Sequence, residues 1–345
     1  MLNDANIIAQ RDPSGALSAI LNLPEQTKFQ PDLRGETSGP DIEQIVMAGM
    51  GGSALAADMA KVLTKNSLGV PIEIVKGYSL PAYINQKTLV IAISHSGNTE
   101  ETLSCYDQAK NQGAQLAAMS TGGILLNKAQ TDGILHSIIP EGAQPRMLTV
   151  YHLKILLNIL QHFSLIDSSL FDSIGSSTDW LRAAMQEWSP EVPTEHNYAK
   201  QLAEMSAGKT GMFEGGELTW PIAYKWKISW NESSKNLAFY NQYPEINHNE
   251  FIGWSSHPIE KPFAVFDIKS HLESPRITER MEVSERMLSG MRPHTKSIQL
   301  QGETLIRQYL WGLALADMTS VYLGILNNVD PVPVALIENF KKSLS

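Results

Sequence analysis

The sequence predicts an α/β protein built from two doubly wound domains with mostly parallel sheets. Three observations carry this expectation. A chain of 345 residues is long enough for about two full cores. Short apolar, β-branched runs alternate with stretches of helical spacing, as in parallel sheets covered on both faces. Two of the turns between them are rich in glycine or hydroxyls, like ligand loops at the carboxyl ends of parallel strands.

The elements follow in chain order. Ala16, Leu17, Ile20 and Leu21 have helical spacing and predict a leading helix. Residues 45–48 read as a short strand, followed by Gly49-Met50-Gly51-Gly52-Ser53 and a helix over 54–63. Further strands are predicted over 72–75 and 89–93. The second of these runs into Ser94-His95-Ser96-Gly97-Asn98-Thr99, after which Leu103, Tyr106 and Ala109 continue with helical spacing. Strands over 116–119 and 134–139 come next, then Gln144-Pro145-Arg146 and a long helix over 148–163. A serine-rich helical connector over 165–195 ends in SPEVPTE and divides a first domain, 1–164, from a second, 196–345. In the second domain, strands are predicted around Met212 and over 263–268 and 298–300. A helix over 304–327 is broken by Asp330-Pro331, and a last short helix covers 334–344.

Composition narrows the classes. The chain is 43% hydrophobic and 18% charged, as globular proteins are. A net charge of −9 argues against nucleic acid or an anionic membrane as the partner, so a site for an anion has to be local. Cys105 is the single cysteine, which excludes an internal disulfide and fits a reducing cytoplasm. The opening MLNDANIIAQRDP lacks a basic region followed by an apolar core, so no signal peptide is expected. The apolar stretches read as too short and too interrupted to span a bilayer. Histidines 95, 136, 152, 162, 196, 248, 257, 271 and 294 show no paired ligand spacing, and there is no CxxC. No metal site is therefore expected.

Two stretches could carry chemistry. A helix N-terminus offers unpaired N–H groups and the positive end of its dipole, and Ser94, Ser96 and Thr99 add hydroxyls around the one at Glu100. One hydroxyl is enough for an N-cap; three in six residues point to an anion cradle. The first loop, GMGGSA, also satisfies G-x-G-x-x-A with Glu73 following. A dinucleotide site is thus an alternative for that loop, although it leaves SHSGNTEET unexplained. The second stretch is Trp230-Asn231-Glu232-Ser233-Ser234-Lys235 with Pro244-Glu245-Ile246-Asn247-His248-Asn249-Glu250 after it. Amides and titratable groups in such density are costly to bury without a purpose. Taken singly, Glu232 also reads as a solvated helix residue and His248 as a hydrogen-bonded core imidazole. Trp220, Trp226 and Trp230 on one helix read as core or dimer interface rather than as a sugar platform.

GMGGS, SHSGNTEET, Gln144-Pro145-Arg146, NESSK and PEINHNEF-x-GW, in this order, resemble the bifunctional phosphoglucose/phosphomannose isomerase family. That family belongs to the SIS-fold phosphosugar isomerases. The resemblance extends to the terminal DPVPVALIENFKK and implies two SIS-type α-β-α sandwich domains. It further implies an aldose–ketose isomerase acting on glucose 6-phosphate and mannose 6-phosphate through a cis-enediol. By this resemblance Gly52, Ser53, Ser94, Ser96 and Thr99 hold the substrate phosphate and Arg146 stabilises the enediolate. Glu232 is the base between C1 and C2, and His248 and Lys341 assist ring opening. Val334 faces the sugar near C1–C2, where a small side chain leaves room for either epimer; the family's threonine is valine here. His95 replaces the usual tyrosine of SYSGNT, and NESSK the usual NENAK. A homodimer is implied, with His248 contributed in trans.

The residue types suit that reaction, which requires no redox cofactor and no metal. A carboxylate can shuttle the carbon-bound proton, a step worth about 10²–10⁴-fold. An arginine stabilises the developing oxyanion without risk of deprotonation. The phosphate supplies binding energy remote from the reacting carbons. Without the resemblance, Lys341 reads as a solvated helix end, and Arg146 sits where a helix dipole disfavours a cation. Two other classes stay open: a non-catalytic phosphosugar sensor, which would not need the base, and a nicotinamide-dependent dehydrogenase.

Overall fold

The computed structural model describes residues 1–36, 39–256 and 262–344, so His257 lies outside the described residues. The chain divides into two units, Leu23–Thr178 and Met1–Asn22 with Asp179–Ser345.

Leu23–Thr178 contains a six-stranded sheet: β1 (Leu33–Arg34), β2 (Gln44–Gly49), β3 (Ile72–Val75), β4 (Thr88–Ile93), β5 (Gln115–Ser120) and β6 (Leu135–Ile138). Their order is β1-β6-β5-β4-β2-β3, and only the short β1 runs antiparallel to its neighbour. Every residue of β4 and β5 is buried. This is why these strands read as unbroken apolar runs without alternation. Helices Gly51–Thr64, Glu100–Asn111, Gly123–Thr131 and Thr149–His162 connect and cover the strands. On one face Val46, Val90 and Ala92 pack with Cys105 and Tyr106 of the covering helix. Burial pushes the Cys105 thiol up to about 11, as suits a core residue.

The other unit holds a second parallel sheet: β7 (Thr210–Gly215), β8 (Ala238–Gln242), β9 (Phe263–Lys269) and β10 (Lys296–Gln299), in the order β10-β9-β7-β8. The sequence reading lacks β8, which forms a sheet edge with Phe239 and Tyr240 exposed and so presents no apolar run. Trp226 and Trp230 of helix Trp220–Ser233 are fully buried against Phe213 and Phe266, as core residues. That helix packs on Leu305–Leu326 through a buried Lys225–Asp317 ion pair of 2.7 Å, with Ser229 donating to the same carboxylate.

Two expectations change. Among the described residues, Leu305–Leu326 is long and apolar enough to cross a membrane by length and composition, contrary to the reading that no stretch was. Its apolar window is 94% buried inside the protein, so its all-round hydrophobicity serves core packing. The N-terminal residues, counted above with the first domain, group instead with the second sheet. Helices Ala5–Arg11 and Ala16–Leu21 lie against Leu305–Leu326, and the Arg11 guanidinium donates to the Ile325 carbonyl at 2.8 Å. At the other end the division falls at Thr178/Asp179, within the connector predicted over 165–195.

Candidate active site

Three strand-to-helix loops interlock at the carboxyl edge of the first sheet. The helix after β2 begins at Gly51, so Gly52 and Ser53 lie in its first turn. Ser53 is buried, and its Oγ accepts from the His95 N–H at 3.3 Å, which ties this loop to the one after β4. There Ser94 and Thr99 hydroxyls lie 2.8 Å apart, and the Asn98 N–H donates to Ser96 Oγ at 3.2 Å. Thr99 is the N-cap residue of helix Glu100–Asn111 but places no side-chain hydrogen bond on the cap amides. Its hydroxyl is turned to Ser94 instead. Thr99 is therefore not an ordinary side-chain cap.

The third loop, Ser120-Thr121-Gly122-Gly123 after β5, was absent from the sequence reading. Gly97 has φ +70°, and a Cβ there would lie 1.9 Å from the Gly122 carbonyl oxygen. Gly123 has φ +71°, and a Cβ there would meet the Ser96 carbonyl oxygen at 2.4 Å. Both positions therefore exclude any side chain. Thr121 donates through its amide and its hydroxyl to the His95 carbonyl, at 2.9 and 2.8 Å. The available signal was a Thr-Gly-Gly turn directly after a predicted strand.

Arg146 joins the same group of loops. It lies in the 3-10 turn Pro145–Met147 ahead of helix Thr149–His162 and is buried at 1% exposure. A Cβ at Gly52 would meet the Arg146 amide nitrogen at 3.3 Å, so the loop after β2 is seated directly on this backbone. The ring of His95, in the loop after β4, stands 5.6 Å from that of His152. Burial lowers both, His152 to about 4, and so favours the neutral form of each ring. Among the described residues His95 Nδ1 and His152 Nε2 have no hydrogen-bond partner, while His152 Nδ1 faces the Leu148 carbonyl at 2.8 Å. Glu73, which a dinucleotide would need at its ribose, accepts from the Tyr83 hydroxyl on strand β3.

The remaining expected residues belong to the second-sheet unit. Glu232 is half-buried in the last turn of helix Trp220–Ser233. Asn231 Oδ1 accepts from the Ala238 N–H at 2.8 Å and so pins the start of β8 to this helix end. Lys235 donates to the Glu232 carbonyl and, at 3.1 Å, to that of Pro331. Asn327 donates to the Ser234 carbonyl at 3.0 Å. These bonds fasten the Glu232 turn to the segment leading to Val334, which is half-buried and accepts from the Ile337 and Glu338 amides at the head of helix Ala335–Leu344. Lys341 is exposed on that helix. His248 is exposed at the end of the 3-10 turn Glu245–His248.

Comparison with known proteins gives the same picture. Residues 41–157 match the model of the SIS domain, and residues 195–344 match the bacterial phospho-glucose isomerase C-terminal SIS domain. A bifunctional phosphoglucose/phosphomannose isomerase of Caldicellulosiruptor bescii is 34% identical over 333 residues, covering 95% of this chain and 98% of that protein. The chain belongs to the bifunctional phosphoglucose/phosphomannose isomerase family. A member of this family from Aquifex aeolicus is 32% identical over 87% of this chain and 90% of its own length. Among solved structures, the C-terminal domain of glucosamine-fructose-6-phosphate aminotransferase from Francisella tularensis shares the fold. Its TM-score is 0.68 at 14% identity, over 95% of this chain and 98% of that one. The resemblance read from the motifs therefore holds. The SIS match contains Ser53, Ser94, Ser96, Thr99 and Arg146, and the family's C-terminal match contains Glu232, His248, Val334 and Lys341.

Proposed function

We infer that this chain is an aldose–ketose isomerase interconverting glucose 6-phosphate, and by the same cis-enediol mannose 6-phosphate, with fructose 6-phosphate. The observation that carries the reading is the hydroxyl loop at 94–99. Its Ser94 and Thr99 side chains turn to each other at a helix N-terminus, with Ser53 bonded beside them. Hydroxyls and amides in that arrangement suit a phosphate dianion. Membership of the family supports the hexose phosphate as substrate.

In this reading Gly52, Ser53, Ser94, Ser96 and Thr99 hold the phosphate, and the sugar is oriented from that end. His248 and Lys341 move the protons of ring opening, one taken from O1 and one delivered to O5. Glu232 then removes the proton from C2 and returns it to C1, and the enediolate oxygens gain charge as it does so. Arg146 balances that charge from a buried position where the interaction is strong. Val334 leaves space at C2 for either epimer. The exposure of His248 on its own chain supports its service to a neighbouring copy in a homodimer. The absence of any cysteine besides Cys105 supports a cytoplasmic setting.

The test is turnover of each hexose 6-phosphate in a coupled assay. Conversion of glucose 6-phosphate to fructose 6-phosphate is expected; tight binding without turnover would instead make the chain a phosphosugar sensor. Mixing Glu232→Ala chains with His248→Ala chains should restore part of the activity, and no rescue would count against the shared site.

A further inference from the structure

The segment carrying His248 is fixed at points along its length by groups to which no role has yet been given. It leaves β8 at Tyr243, whose N–H donates to the Gly215 carbonyl at 2.8 Å and whose hydroxyl donates to Glu214 Oε2 at 3.0 Å. Glu214 is fully buried and gripped by Arg292, with Nη1 2.9 Å from Oε1 and 3.2 Å from Oε2. Asp267 lies in register beside Glu214 on the adjacent strand and is also buried. Further along, Ile246 is buried with Tyr243, Ile277 and Met281. Asn247 donates to Ser284 Oγ at 2.8 Å and accepts from Arg280 Nη1 at 3.2 Å. Asn249 donates to Glu245 Oε1 at 2.6 Å, closing the turn on itself.

An isolated 3-10 turn of four residues holds no geometry of its own. A buried network of two acids and an arginine is costly to desolvate and gives little net stability. Joined to this turn, it supplies the fixed backbone that an exposed general acid or base needs, because such a group works only within hydrogen-bond reach of its proton.

We propose that Tyr243, through the Glu214–Arg292 pair, and Asn247, through Ser284 and Arg280, are positioning residues that preorganise the turn presenting His248. The proposal rests on the reading of His248 as a ring-opening group.

The experiment is a double-mutant cycle in the full-length protein, with Tyr243→Phe, His248→Ala and the combination. It reads kcat and KM for fructose 6-phosphate and hydrogen exchange over 244–250. Tyr243→Phe should lower kcat about tenfold with KM held within about twofold, and should speed exchange in the turn. On the His248→Ala background it should cost nothing more, because its effect passes through a ring already removed. An equal loss on both backgrounds, or no loss in the single variant, overturns the proposal and leaves Tyr243 a packing residue. If His248→Ala is as active as the parent, the role of His248 falls and the proposal falls with it. That case is recognised because exchange in Tyr243→Phe still rises. Ser284→Ala loosens the turn from its opposite side and should show the same non-additivity if Tyr243→Phe does not fold.

Discussion

In the first sheet β2 lies between β3 and β4, and in the second β7 lies between β8 and β9. Each sheet therefore has a crevice where successive connections leave in opposite directions, the usual place for a ligand in such folds. The two crevices are filled differently. In the first, the loops after β2 and β4 carry Ser53, Ser94, Ser96 and Thr99, with the ring of His95 beside that of His152. In the second, the corresponding amides already have partners. The Leu218 N–H donates to Glu273 Oε2 at 2.9 Å, and the Gly216 N–H donates to Thr219 Oγ1 at 2.7 Å. Glu214 and Arg292 complete a buried ion pair beside them, with Asp267 buried next to Glu214. Where the site proposed on the first sheet would take an external anion, the second supplies its own carboxylate. Topology provides the crevice, and side chains decide whether it serves a ligand or the fold.

That contrast can be broken by experiment, beginning with the largest expected effect. Glu232→Gln should lower kcat by about 10²–10⁴-fold while fructose 6-phosphate still binds. Comparable losses in kcat and in affinity, measured by steady-state kinetics and calorimetry, would mean that chemistry and phosphate binding do not separate between the two sets of residues.

The buried titratable groups should then give the two units opposite responses to pH. His152 is pushed down to about 4, so the stability it contributes is present above its ordinary value of 6.5 and is lost as pH falls from there toward 4. The full loss is about 3 kcal/mol. Asp267 is pushed up to about 8, chiefly by burial and by Glu214 beside it, with Lys269 and Arg292 opposing. Its contribution is complete below about pH 4 and is lost as pH rises toward 8. Hydrogen exchange followed between pH 4 and 8 should show the first-sheet core gaining protection as the second-sheet core loses it. His152→Leu and Asp267→Asn should each flatten one trend; parallel trends would refute the assignment.

Smaller effects distinguish the two crevices directly. Glu273→Ala should cost about 1 kcal/mol in denaturant unfolding, because it strips the part-buried Leu218 amide of its acceptor, and should leave KM unchanged. Ser94→Ala should do the reverse, raising KM about tenfold with little change in melting temperature. A stability loss from Ser94→Ala, or an affinity loss from Glu273→Ala, would blur the distinction.

Much of this was legible in the sequence where the determinants are local. The buried strands 44–49, 88–93 and 115–120 announce themselves as apolar runs, and the hydroxyl turn after the second is continuous in the chain. What was hidden depends on partners distant in sequence. Nothing near Ala16 or Leu17 says that they belong with a helix beginning at Leu305. His95 and His152 form a pair only after the sheet has folded. Glu214 and Asp267 lie within otherwise apolar strands, and a carboxylate in FAVFDIK was a signal left unread. Strand β8 was missed because an edge exposes Phe239 and Tyr240 and breaks the pattern.

The contact between Gly97 and the Gly122–Gly123 turn has a practical side. Because each loop occupies the volume that any side chain on the other would need, neither can drift alone without colliding with its counterpart. Anyone transplanting this anion loop into a new scaffold has to move both segments as a single cassette.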